Sequence, residues 1–359
     1  MSKRTNTAKW ITGRERWQIN VQKDGERKTF SSAKPGRAGQ RECNAKADAW
    51  LENDIVPTNS KIEYLYKSFQ DDVEQTASTM TKKHITSIGR VWIIPCIGNI
   101  RIAKLCDQDI QYILDKAASM GRSKKTIQDI NATINKFLKY CRRKKWTNYR
   151  PEEVSIPASA RLKGKSILQP DDFVKLMNCD TYKYYGTRVR EPYINAYRFA
   201  VLTGLRPGEL RGLKREDVCG RTVTVRGAIN DYGEHTKGKN DNAIRRFVLS
   251  DMAYTVLQEH LSESEESEYL FDVPAASVYR KHWIRFCESN EMSRTTPYEM
   301  RHTFVSIAKN LPAGQVKSLV GHSKNMDTFG IYGHVLEGDE EELASEINVL
   351  FEKIAARKK

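Results

Sequence analysis

Three short stretches of the 359-residue chain combine residue types suited to phosphate chemistry. In Thr203-Gly204-Leu205-Arg206-Pro207-Gly208-Glu209-Leu210, an apolar helix ends at a glycine and an arginine stands on the turn into a second helix. Pro207 suits a first helical position. A guanidinium at such a turn can meet a phosphate with its bidentate fork. It can equally pair with Glu209, a purely structural use. The second stretch is Thr296-Pro297-Tyr298-Glu299-Met300-Arg301-His302-Thr303-Phe304. The third is Leu319-Val320-Gly321-His322-Ser323, followed by Ile331-Tyr332-Gly333-His334. Alone, Tyr332 reads as a half-buried helix tyrosine as readily as a nucleophile.

Taken together and in this order, the Arg box, the Arg-His pair, the Gly-His pair and the late tyrosine resemble the tyrosine recombinases, specifically phage-type (lambda-like) integrases. The resemblance is close over about 169–334 and extends, through the layout, to the two preceding domains. It implies Arg206 as the first catalytic arginine, Glu209 as the accessory acid, Arg301 as the second arginine, His322 at the His-or-Trp position and Tyr332 as the nucleophile. Lys237, in Thr236-Lys237-Gly238 ahead of the strand Ile244–Leu249, matches the lysine of the family's β-hairpin, with Lys239 its rival. Tyr298 stands where the family usually has a histidine. A tyrosine there can hydrogen-bond but is no base at neutral pH, with an ordinary pKa of about 10. His302 is assigned to packing, and His334 to a local hydrogen bond.

The resemblance implies a definite reaction. A tyrosine hydroxyl attacks a DNA phosphodiester, forming a 3′-phosphotyrosine and expelling a deoxyribose 5′ oxygen, and the covalent link keeps rejoining independent of ATP. Phosphoryl transfer is mostly positioning and charge stabilisation. Two arginines suit the non-bridging oxygens, each positioned donor contributing about 3 kcal/mol, and a lysine suits protonation of the leaving oxygen. The scheme needs no metal and no cofactor.

These residues must be held by a multidomain chain. Trp17–Val21 alternates at the strand period, Lys23-Asp24-Gly25-Glu26 signals a hairpin, Arg27–Phe30 is the return strand, and a helix over Arg41–Asn53 follows. The expectation is a small β-sheet plus helix over 1–55, which the resemblance implies is an arm-type DNA-binding domain. Residues 60–155 read as an all-α core-binding domain. In it Asp107 is the expected N-cap of a helix running to Ser119, and Ile127, Ile130, Ile134, Phe137, Leu138 and Cys141 form one buried face. The run Arg142-Arg143-Lys144-Lys145 suits a helix C-terminus or phosphate contact. A basic linker over 156–168 leads to a mixed, mainly-α (α+β) catalytic domain over 169–335. The tail 336–359 carries the stripe Leu343, Ile347, Leu350, Phe351 and Ile354, for docking on a neighbouring protomer by preference, or on its own domain.

Charge supports a polyanionic partner. The chain has 60 Lys+Arg against 45 Asp+Glu, net +15. Residues 1–55 carry 12 against 7 and residues 56–160 carry 18 against 10, so +13 resides in the first 160 residues. The longest apolar run, about Val91–Ile97, is far short of a membrane span, and the start lacks a signal core. Seven scattered cysteines without a CxxC indicate reduced thiols, mostly buried. The resemblance implies as partners double-stranded DNA at core-type and arm-type attachment sites and a homotetramer in synapsis. A host DNA-bending protein and an excisionase complete the set, in a bacterial cytoplasm at the nucleoid. The rival readings are a Xer-like dimer resolvase, a type IB topoisomerase, and a non-catalytic DNA-binding regulator on the same fold.

Overall fold

The computed structural model describes residues 4–23, 26–52, 59–161, 164, 166–236, 244–264, 267–321 and 338–356. The chain divides into two compact units, 1–163 and 164–359. Lys237, Lys239, His322, Tyr332 and His334, and the turn Asp24-Gly25, lie outside the described residues.

The first unit begins with a three-stranded antiparallel sheet, β1 (Lys9–Ile11), β2 (Arg16–Lys23) and β3 (Glu26–Ser32), in that order. Alternation on β2 turns Ile19 and Val21 inward, against Cys43, Ala47 and Leu51 of helix α1 (Gly36–Glu52). The register pairs Lys23 with Glu26, the two-residue hairpin spacing the sequence calls for. Helix α1 starts five residues earlier than expected, directly after Pro35, with Gly36 at φ +72°. Strand β1, three residues long, is too short to show a period.

Helices α2 (Ile62–Thr76), α3 (Thr79–Ile88), α4 (Ile94–Ile97), α5 (Asp107–Ser119) and α6 (Lys124–Arg143) share a separate core. The expected α6 stripe lies wholly inside it, and Ser123 caps that helix by accepting the Thr126 N–H at 3.2 Å. At α5 the cap differs from the expectation. Cys106 is the capping residue and Asp109 closes the box by accepting its N–H at 3.0 Å. Asp107 is one residue further in, and its carboxylate instead accepts from the Tyr149 hydroxyl and from the N–H groups of Glu152 and Glu153. Those bonds hold the cation run's neighbourhood. Arg142 donates to the Tyr149 carbonyl, and Arg143 donates through Nη2 to both carboxylate oxygens of Asp72 at 2.9 Å. Among the described residues no helix is long and apolar enough to cross a membrane.

The second unit is built around α8 (Ile194–Thr203), every residue of which is buried. Its buried cation Arg198 is satisfied by donating to the Leu176 carbonyl at 2.9 Å and by pairing with Asp180. Around it pack α7 (Pro170–Asn178), α9 (Pro207–Gly212), α10 (Asp251–Glu263), α11 (Ala276–Ser289) and α12 (Pro297–Ile307), with a short sheet β10-β7-β6 (Arg245–Val248, Thr222–Val225, Val218–Cys219). Two hairpins complete it, β4–β5 (Thr181–Tyr184 with Thr187–Arg190) and β8–β9 (Ala228–Ile229 with His235–Thr236). The first of them is absent from the sequence reading. Helix α13 (Ala313–Val320) ends at Gly321, φ +65°. Helix α14 (Asp339–Ala355) lies on its own unit, with Phe351 against Phe173 and Phe304 and Asn348 accepting the Met252 N–H. All seven cysteines are free; Cys43, Cys141 and Cys287 are buried, whereas Cys106 and Cys219 are exposed, fewer buried than the composition suggests.

Candidate active site

The two arginines, about a hundred residues apart in sequence, reach the same place by different elements. Gly204 ends α8 at φ +66°, and a Cβ there would stand 2.6 Å from the Phe304 ring. Only glycine suits both the left-handed backbone and the close approach. Arg206 then occupies the cap position of α9, with Pro207 at the first helical position. Glu209 reaches back to accept the Arg206 backbone N–H at 3.0 Å, closing the cap, and also takes the Arg206 guanidinium. The structural use of Arg206 is therefore present, and its side chain still stays 30% exposed.

Arg301 is delivered by α12, which Pro297 begins and Thr296–Glu299 caps. Its side chain is buried and donates to the carbonyls of Gly204 at 2.9 Å and Val320 at 2.5 Å. Arg206 donates to the next carbonyl, Gly321, at 2.9 Å. The two guanidiniums thus converge on consecutive carbonyls at the end of α13, immediately before His322. Burial, followed by repulsion from Arg206 and Arg245, pulls the Arg301 guanidinium down to about 10, partly offset by Glu209. A cation held in this way gains when an anion arrives.

Tyr298 is exposed and meets His302, one helical turn on, edge to face with ring centroids 5.3 Å apart. The structure therefore puts His302 against Tyr298. The hairpin β8–β9, which runs directly into Lys237, sits on α9. Gly208 and Gly212, one turn apart, form its seat, because a Cβ on Gly208 would stand 2.9 Å from the Ile229 carbonyl oxygen. Arg211 fastens the same hairpin by donating to the Asn230 carbonyl at 3.0 Å.

The sequence reading missed Arg245. Its side chain is 6% exposed and bonds Glu209 through both terminal nitrogens, at 2.8 and 3.2 Å, and the Leu319 carbonyl through Nε at 2.6 Å. Strand alternation carries the signal, since Arg245 falls on the same face as the buried Phe247. Burial raises the Glu209 carboxyl, but the hydrogen bonds and charge of Arg245 and then Arg206 outweigh it, and the net direction is down. Among the described residues no three His, Cys, Asp or Glu side chains gather as a metal site.

A mainly helical unit thus brings an arginine cap and a buried helix arginine to one helix end. Residues 166–338 match the phage integrase family, a likeness that supports a tyrosine recombinase of the phage type. The chain is 24% identical over 292 residues, covering 70% of this chain and 73% of the relative, to a tyrosine recombinase XerC-like protein of Caldanaerobacter subterraneus subsp. tengcongensis. It is 22% identical over 269 residues, 67% of this chain and 68% of the relative, to the integrase of Staphylococcus phage L54a. In fold it is similar to the Tn1549 transposon integrase bound to a circular intermediate DNA, with TM-score 0.63 at 18% identity, covering 79% of this chain and 98% of that one. It is also similar to the lambda integrase in a tetramer bound to a Holliday junction, with TM-score 0.58 at 12% identity, covering 92% and 100%.

Proposed function

We propose that the chain integrates or excises a mobile element or prophage by cleaving and rejoining DNA through a 3′-phosphotyrosine on Tyr332. The observation that carries this reading is the convergence of Arg206 and Arg301 on the carbonyls of Gly321 and Val320, one residue ahead of His322. Three stretches remote in sequence meet there, as a phosphate clamp requires.

In this scheme Arg206 and Arg301 neutralise the non-bridging oxygens as their charge grows in the transition state. His322 adds a hydrogen bond to the phosphate. Tyr298, half exposed on α12, is a hydrogen-bonding neighbour and not a base. Lys237 protonates the leaving 5′ oxygen, from a hairpin that Gly208, Gly212 and Arg211 seat beside Arg206. The Tyr332 oxygen forms the new P–O bond as the P–O5′ bond breaks, and the reverse attack by a 5′ hydroxyl reseals the strand. DNA is the substrate, with core-type sites for the catalytic and helical domains and arm-type sites for residues 1–55. A homotetramer is the synaptic form, with a DNA-bending host protein and an excisionase as accessory partners. The lambda neighbour is itself a tetramer on a Holliday junction.

The test is Tyr332→Phe on a suicide core-site substrate. The parent accumulates covalent protein–DNA adduct, whereas the variant forms none and keeps its affinity for the site. Adduct from the variant would transfer the nucleophile role elsewhere.

A further inference from the structure

A helix end leaves its last carbonyls without helical partners. At the end of α13 each of three successive carbonyls accepts from a different arginine: Leu319 from Arg245 at 2.6 Å, Val320 from Arg301 at 2.5 Å, and Gly321 from Arg206 at 2.9 Å. The arginines come from β10, α12 and the cap of α9. Cations at this end also complement the helix dipole. Arg206 and Arg301 are the residues assigned to the phosphate. Arg245 is 6% exposed and commits its guanidinium to Glu209 and Leu319.

We propose that Arg245 is a positioning residue for DNA cleavage, acting through Glu209 and the end of α13 and never touching DNA. This rests on the recombinase reading of Arg206 and Arg301. Glu209 links the two arginines. Its Oε1 accepts from Arg206 and Arg245, and its Oε2 accepts from Arg245 at 2.8 Å and from the Arg206 backbone N–H at 3.0 Å. A carboxylate shared in this way fixes the direction of Arg206. Without Arg245 the buried anion keeps one side-chain counter-ion and draws Arg206 toward itself, away from its Gly321 acceptor. At the same time the Leu319 carbonyl loses its donor, and α13 loses its tie to β10. The segment that starts at His322 is attached to that loosened end. A displacement of about 1 Å at a phosphate clamp costs about 100-fold in rate.

The experiment uses the full chain and a suicide core-site duplex. It compares Arg245→Gln and Arg245→Lys with the parent by single-turnover cleavage at saturating DNA, by Kd for the same duplex, and by thermal unfolding. Arg245→Gln is expected to cleave about 100-fold more slowly with Kd within about threefold of the parent, and Arg245→Lys, which keeps a cation on Glu209, to recover at least about tenfold of the loss. Three results overturn the proposal: cleavage by Arg245→Gln within about threefold of the parent, a deficit that follows Kd or unfolding and vanishes at saturating DNA, or no advantage of lysine over glutamine. Arg206→Lys separates the two readings. Full-rate cleavage by that variant refutes the active-site assignment itself. Slow cleavage by it, with a parental rate in Arg245→Gln, refutes only the role of Arg245.

Discussion

Glu209 shows how much one side chain settles at this site. It is 4% exposed and lies between two guanidiniums, so its charge is bearable only while both are present. Burial raises its pKa, the arginines lower it further, and the folded value falls below the ordinary 4.5. A carboxyl depressed on folding contributes stability that is complete above its unfolded pKa and lost as pH falls through the folded one. The arginine cluster is therefore held at neutral pH and loosens in acid. Glu209→Gln should cost about 3 kcal/mol at pH 7, and thermal unfolding should show the gap from the parent narrowing as pH drops below 4.5. A gap constant between pH 7 and pH 3.5 would contradict this linkage. At this scale the sequence was legible where type and spacing coincide. Arg206 and Glu209 are three apart on a turn, and Arg301 lies on a proline-started helix. Arg245 was not, because its partners lie 36 and 74 residues away in the chain.

Among the elements, those with a long, clean period were readable and the short ones were not. The α6 stripe, the helix ending at Gly204, the strand at Arg245–Val248 and the tail helix all lie where the pattern places them. The hairpin β4–β5 escaped because its strands are only four residues long, too short for the alternation of Tyr182 and Tyr184 or of Arg188 and Arg190 to stand out. The α5 cap slipped by one residue because Asp107 and Asp109 compete for the same role and the chain uses Asp107 to accept from 149–153. The β8–β9 seat is the element-level feature with the plainest consequence. Because a Cβ at Gly208 would meet the Ile229 carbonyl oxygen at 2.9 Å, Gly208→Val must push the hairpin off α9. We expect cleavage at saturating DNA to fall about 10- to 100-fold, with Kd for the core duplex unchanged, because the hairpin leads to Lys237. Parental cleavage in this variant would show that the seat does not position the lysine.

Across the whole molecule the charge is divided unevenly. Residues 161–359 carry 30 Lys+Arg against 28 Asp+Glu, net +2, whereas the first 160 residues hold +13. The second unit concentrates its few decisive cations at one helix end, and the first unit bears the excess on two small cores. Attraction between such an excess and DNA acts through release of counter-ions, so affinity falls linearly in log[salt] with a slope of about −0.9 per phosphate neutralised. Residues 1–55 account for +5 of the charge and have a core of their own in Ile19, Val21, Cys43, Ala47 and Leu51. Removing them should make the slope for a full attachment site shallower by about 2 to 4, since not every cation meets a phosphate. Footprints on that site should shrink from two classes of protected sequence to one, while adduct formation on an isolated core duplex continues. If instead the shortened chain keeps the parental slope and both classes of footprint, residues 1–55 make no separate contact with DNA. The excess charge of the helical domain would then account for all of the binding, as expected of a recombinase with one class of site.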